Sequence, residues 1–315
     1  MNQENDSRLK RYWKDGMRSR RQFIQRYSSP REFKDLLFKI ILSLTIIIIV
    51  SPFFMVLFQV ASIGFWQIFG SEPGQGLSFF FSFPGPGLEG GIRNALVGTV
   101  ELVVIASTFG IPLSVFGAVY INEYTQPGWM RSVIEFASDV LAGVPSIVIG
   151  AFGFAFLVDF LHLGMGVLAG ALTLSFMMIP TVLRTTQEAL RTVPMPLREA
   201  SLALGATKWS TTWNVTLRAA FPGVITGVLL AVGRIMGETA PLIFTAGNNL
   251  IVPTELTGSG SWVASLPYTI WAYISDPRAY IQEKAHGAAL ALLIMVLIID
   301  VIANIISRKV TRRLV

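Results

Sequence analysis

The chain reads as an all-α membrane protein with six transmembrane helices and both termini in the cytoplasm. Three observations predict this. Hydrophobic residues make up 52% of the 315 and charged residues only 14%, against about a quarter charged in soluble domains. The apolar residues gather in six runs, each with the ~20 or more residues a helix needs to cross hydrocarbon. None shows the period-2 alternation of an outer-membrane barrel. Finally, Lys and Arg concentrate in alternate connections, the asymmetry that sets membrane orientation.

Residues 1–35 form a basic tail, and eleven of the 25 Lys and Arg lie within residues 1–39. Their place directly before an apolar run favours a positive-inside anchor over a nucleic-acid arm. The first span, 36–60, begins too late for a secretory signal and lacks an A-x-A site, so it reads as retained. Residues 61–92 carry no Lys or Arg and are rich in Gly, Pro and Phe. They predict an irregular outer loop.

A transmembrane domain follows over 93–307, with spans at 94–120, 133–160, 166–190, 217–246 and 285–307. Arg131 lies between spans two and three. Arg184, Arg191, Arg198, Lys208 and Arg218 cluster around the loop 191–216. Arg308, Lys309, Arg312 and Arg313 fill the tail 308–315. These place the 191–216 loop and both ends in the cytoplasm. The outer connection 247–284 holds Trp262, Pro267, Tyr268 and Trp271 and reads as an interfacial segment, either an anchor or a docking surface. Pro112, Pro145, Pro180 and Pro222 predict bends within four spans. The pairs Gly166/Gly170, Gly223/Gly227 and Gly233/Gly237 predict close helix approach.

Several chemistries are excluded. There is no Cys and there are only two His, which removes thiol chemistry and makes a His-rich metal site improbable. No Lys is followed by Ser or Thr, so the chain has no phosphate-binding GxxxxGK[ST] loop. Neither His sits in an HExxH, and no GxSxG elbow is present, which argues against an intramembrane enzyme. An ion channel or ion-coupled carrier remains as an alternative to an ATP-driven transport subunit.

Two constellations carry the functional reading. Residues 192–206 (TVPMPLREASLALGA) open with two prolines, continue with helix formers and stop at Gly205. Leu197, Ser201 and Leu204 share one face of that short helix, with Ala200 and Ala203 nearby. A cytoplasmic helix with an apolar face packs either on its own bundle or in a groove of another subunit.

The second constellation is Arg234 and Glu238, four residues apart in span five. Taking 217–246 as one span, they lie roughly 3 Å and 9 Å past its centre at 1.5 Å per residue. Charges at that depth cost a few kcal/mol each or more and face the bundle interior. They read either as a structural ion pair or as a solute-contacting pair. A guanidinium fork matches phosphate, sulfate or carboxylate oxygens, while a neighbouring carboxylate competes for its donors and permits release. Asp139 reads as paired near the cytoplasmic border. Glu101 and Asp300 are further ionisable residues within spans.

The order Glu199-Ala200-Ser201-x-x-x-Gly205 resembles the EAA loop of ABC-importer permeases. Arg218 stands where that family has proline, and Ser201 where it has a second alanine. LAGVPSIVIG (141–150), GRIMGETAPLIFTAG (233–247) and SLPYTIW resemble the A-type permease subunit of phosphate-specific ABC importers, over roughly residues 92–307. The resemblance implies a type I ABC-importer permease architecture in the bacterial inner membrane. It implies that Glu199, Ala200, Leu204 and Gly205 couple to an ATPase and that Arg234 and Glu238 serve phosphate passage. It further implies a heterodimer with a homologous permease, two ATPase subunits that use ATP and Mg, and an extracytoplasmic phosphate-binding protein. This chain itself would bind no cofactor, no metal and no nucleic acid.

Overall fold

The computed structural model describes residues 30–70, 76–258 and 260–314. Most of the basic tail, residues 1–29, and part of the first outer loop, residues 71–75, lie outside the described residues. The chain divides into two units, 1–59 and 60–315.

The first unit is the N-terminal part of α1 (Pro30–Phe69). This helix is longer than the apolar run 36–60 because the residues after the run stay apolar, with Gly64 tolerated, until the chain leaves the helix at Gly70. Charged helix formers also extend it at its start. Pro52 is accommodated inside it.

In the second unit α2 (Leu77–Phe81) precedes α3 (Arg93–Tyr124), whose last turn, Tyr120–Tyr124, is a π-turn. Next come α4 (Trp129–Gly143), α5 (Ser146–Phe160) and α6 (Val167–Arg191). Then follow α7 (Met195–Ala203), α8 (Lys208–Met236) and α9 (Ala240–Thr245). The chain ends in α10 (Leu266–Ile274) and α11 (Ala279–Leu314), which carries the helix well beyond the expected end at 307. Among the described residues, five helices are long and apolar enough to cross a membrane, or six if the bent pair α4–α5 counts as one span.

Two expected spans are broken. Span three is not one helix: α4 and α5 meet at 104°. Pro145 has no N–H to continue the ladder, and its ring forces Val144 into an extended conformation (ψ 130°). Span five is not continuous over 217–246 either. It begins earlier, at Lys208, and ends at Met236, and the helix resumes only at Ala240. Gly237 caps the end of α8 and Pro241 cannot donate to its carbonyl, so together they interrupt the helix here. Arg218, by contrast, breaks nothing: a helix-tolerant residue in place of proline lets α8 run on through a π-turn at Thr212–Thr216.

The core joins α3, α6, α8 and α9. Leu102, Leu174, Met178, Ile235, Met236 and Leu242 are buried together there. Between membrane helices, close fit rather than exclusion of water holds such contacts. A Cβ on Gly223 would lie 2.6 Å from that of Ala189, and one on Gly170 would lie 2.9 Å from that of Ala246. These glycines let α8 and α6 approach their neighbours. Gly233 and Gly237 do not serve this way. The nearest foreign atom to Gly233 is an Asp300 carboxylate oxygen 3.9 Å away, and Gly237 meets only its own turn.

Among the described residues, the connections 76–92 and 247–284 pack as parts of the bundle. The N–H groups of Gly166, Val167 and Leu168, which α6 leaves without helical partners, donate to the carbonyls of Thr245, Ser261 and Leu256 at 2.9, 3.0 and 3.1 Å. The backbone N–H of Leu266 donates to Thr99 Oγ1 at 2.8 Å. Residues 247–274 therefore cap one helix and pack on another, with Leu266, Pro267 and Tyr273 buried. Tyr268 and Trp271 stack face to face, with Trp271 half-exposed.

The two bases of that connection clasp the other loop. Arg278 Nη1 and the Tyr280 hydroxyl donate to the Gly87 carbonyl at 3.1 and 3.3 Å. Lys284 Nζ donates to the carbonyls of Leu88 and Gly90, both at 2.9 Å. Arg278 is held in turn by Asp276 at 2.8 Å, and the guanidinium keeps the Asp276 carboxyl down at about 2.

Candidate functional site

Arg234 occupies the last turn of α8, where the unpaired carbonyls of the helix favour a cation. Gly237 N–H donates to Arg234 O at 3.1 Å and Glu238 N–H to Ile235 O at 3.3 Å, so the final turn tightens before the chain leaves the helix. Glu238 thus lies just past the end of α8, not on the continuous helix that the four-residue spacing assumed. The two side chains still meet: Arg234 Nε is 3.7 Å from Glu238 Oε1. Glu238 is 17% exposed and Arg234 49% exposed. The depth computed for an unbroken 217–246 span no longer applies, since both residues sit at a helix break.

That break is held from outside. α9 packs against α5, and Gly150 and Gly153 provide the close contacts. The segments 141–150 and 233–247, singled out separately in the sequence, are therefore spatial neighbours. Together they form an interrupted-helix element that brings helix ends and the Arg234 and Glu238 charges to one place.

At the other end of α8 lies the 191–216 loop. Its helix, α7, has no buried residue. Gly205 follows in the left-handed region (φ 86°), a conformation suited to glycine at a helix C-terminus. Leu204 is 90% exposed, and Met195, Leu197 and Leu202 are exposed as well, as are Glu199 and Ala200. The face expected from spacing is corrected in one respect. Ser201 turns inward and bonds the Thr211 hydroxyl at 2.9 Å, so it separates from Leu197 and Leu204.

Other ions pair locally. Asp139 pairs with Arg184, as its position suggested. Glu135 lies between Arg131 at 3.0 Å and Arg191 at 3.2 Å. Glu135, Asp139, Arg184 and Arg191 line a polar cavity of about 130 Å³ between α4 and α6.

Sequence reasoning missed the Arg198–Glu123 pair. Arg198 Nη2 donates to Glu123 Oε1 at 3.1 Å and to Leu190 O at 2.7 Å. A signal existed: Glu123 ends a long helix, where the macrodipole disfavours an anion, and that anomaly calls for a cationic partner.

Residues 110–315 match the family described as "Binding-protein-dependent transport system inner membrane component". The chain belongs to this family. It is an inner-membrane permease subunit of an ABC importer, a multi-pass transport component rather than an enzyme. The "Phosphate transport system permease protein PstA" of Yersinia pestis is 38% identical over 220 residues, covering 70% of this chain and 73% of the relative. That of Pasteurella multocida is 36% identical over 253 residues, 80% of this chain and 89% of the relative. A solved bacterial alginate ABC transporter, in complex with an alginate pentasaccharide-bound periplasmic protein, has a subunit that superposes with a TM-score of 0.64. That match has 16% identity and covers 90% of this chain and 98% of the other. It supports the fold.

Proposed function

We propose that this permease imports inorganic phosphate, driven by a partner ATPase. The observation that carries this is the α8 break, where the half-exposed Arg234 guanidinium stands 3.7 Å from the Glu238 carboxylate. A planar fork of donors suits a tetrahedral oxyanion. The nearby Glu238 carboxylate competes for the same donors, which favours release of a bound anion over trapping it. The names of the relatives from Yersinia pestis and Pasteurella multocida support phosphate as that anion.

In this reading the 191–216 loop and both termini face the cytoplasm, in keeping with the basic residues there. Glu199, Ala200, Leu204 and Gly205 belong to the surface that seats in an ATPase subunit. The exposed Leu204 and Leu197 provide its apolar contacts. The working transporter pairs this chain with a homologous permease, two ATPase subunits that use ATP and Mg, and an extracytoplasmic phosphate-binding protein. The chain needs no cofactor of its own.

Substrate-stimulated ATPase activity of the reconstituted complex tests the reading. Phosphate-loaded binding protein is expected to stimulate hydrolysis, and sulfate offered in its place is not. Stimulation by sulfate and not by phosphate overturns the assignment of the anion.

A further inference from the structure

Among the described residues, Arg198 is the α7 side chain whose charge ties that helix to the bundle. Its ion pair with Glu123 has the most enclosed partners among the described residues, 16% and 10% exposed. The next most enclosed, Arg131–Glu135, is at 22% and 34%. Low exposure makes such a pair stronger and more demanding of geometry than its surface counterparts. One guanidinium group touches three elements. It belongs to α7, it binds the Glu123 carboxylate in the π-turn closing α3, and it binds the Leu190 carbonyl in the last turn of α6. Glu123 is oriented in turn by Asn122 Nδ2 at 2.8 Å.

Apolar packing does not fix α7, since none of its residues is buried. Among the described residues, the α7 side chains that bond to other elements are Arg198 and Ser201, the latter through the Thr211 hydroxyl in the first turn of α8. A push on the exposed face of α7 therefore passes to α3 and α6 through Arg198. The core carries it on to α8, where Arg234 stands.

We infer that Arg198 and Glu123 form a positioning pair that links the ATPase-facing helix to the transmembrane bundle, so that ATP hydrolysis without this pair fails to move solute. The inference rests on the proposed seating of α7 in an ATPase subunit.

The test uses the complete transporter in proteoliposomes with its binding protein, with inorganic phosphate as probe. It compares Glu123→Gln, Arg198→Gln, the double variant and Arg198→Lys, reading ATPase retention, ATP hydrolysis and phosphate taken up per ATP. Each Gln variant is expected to keep the ATPase bound and hydrolysing while uptake per ATP falls about tenfold. The double variant is expected to be no worse than the worse single, since the two act as one unit. Arg198→Lys is expected to recover part of the loss. Unchanged uptake per ATP, or losses that multiply in the double, overturns the inference. If the single variants do not accumulate, the double, with no unpaired charge left inside, decides by the same ratio. Leu204→Asp separates the two levels: normal ATPase binding by that variant overturns the seating of α7 itself, independently of the pair.

Discussion

Gly150 lies against the backbone of Pro241, so closely that a Cβ on the glycine would fall 2.6 Å from the proline Cα. α5 and α9 both exist because a proline interrupts a longer apolar run, and they meet at this contact. It holds α9 against α5 just beyond the end of α8, next to the turn that carries Arg234 and Glu238.

Replacing Gly150 with Val is therefore expected to push α5 off α9. Overpacking of this kind costs about 1–3 kcal/mol. The thermal midpoint of the purified protein in detergent should fall, and Gly143→Val, where a side chain meets open space, should not lower it comparably.

Lys284 is 8% exposed and donates to two carbonyls of the 82–92 loop. Lys284→Met keeps the length of the side chain and strands both acceptors, a loss of about 1–3 kcal/mol for the unpaired groups. Amide exchange at residues 88–92 should accelerate, with exchange in α6 unchanged.

The Asp276–Arg278 contact has a defined pH window. The Asp276 carboxyl is lowered from 3.8 to about 2. A lowered folded pKa stabilises above the unfolded value, and that contribution disappears as pH falls through the folded one. The contact should thus hold undiminished down to about pH 4 and be lost between there and about pH 2. Carboxyl titration by NMR should place Asp276 near 2, and Arg278→Gln should bring it back toward 3.8.

Much of this was legible in the sequence, and the gaps have physical causes. Apolar run length located every span, because a lipid-facing helix has no other way to satisfy its backbone. The break at 144–145 reads in the sequence as a bend, and the one at 237–239 does not show there at all, since 217–246 reads as one continuous helix. A proline alone does not say whether its neighbours rescue the helix, and here Gly237 and Pro241 act together. The spacing of Arg234 and Glu238 foretold their contact but not that Glu238 lies beyond the helix. The roles of Arg278 and Lys284 were invisible because their acceptors are carbonyls some 190 residues away in sequence. Glu123 escaped notice for a related reason: its partner is 75 residues distant.

Leu204 is 90% exposed at the end of α7. Leu204→Asp should leave the thermal midpoint of the isolated chain within about 0.5 kcal/mol of the parent, as surface substitutions do. It should sharply reduce co-purification of the ATPase subunit, since a charge would enter an apolar groove.

The central claim is that the Arg234–Glu238 break is the passage for the anion. Uptake of radiolabelled phosphate by the reconstituted transporter carrying Arg234→Ala tests it most directly, with subunit assembly checked in the same preparation. The account predicts an assembled complex with uptake abolished. Normal phosphate uptake by that assembled variant contradicts it.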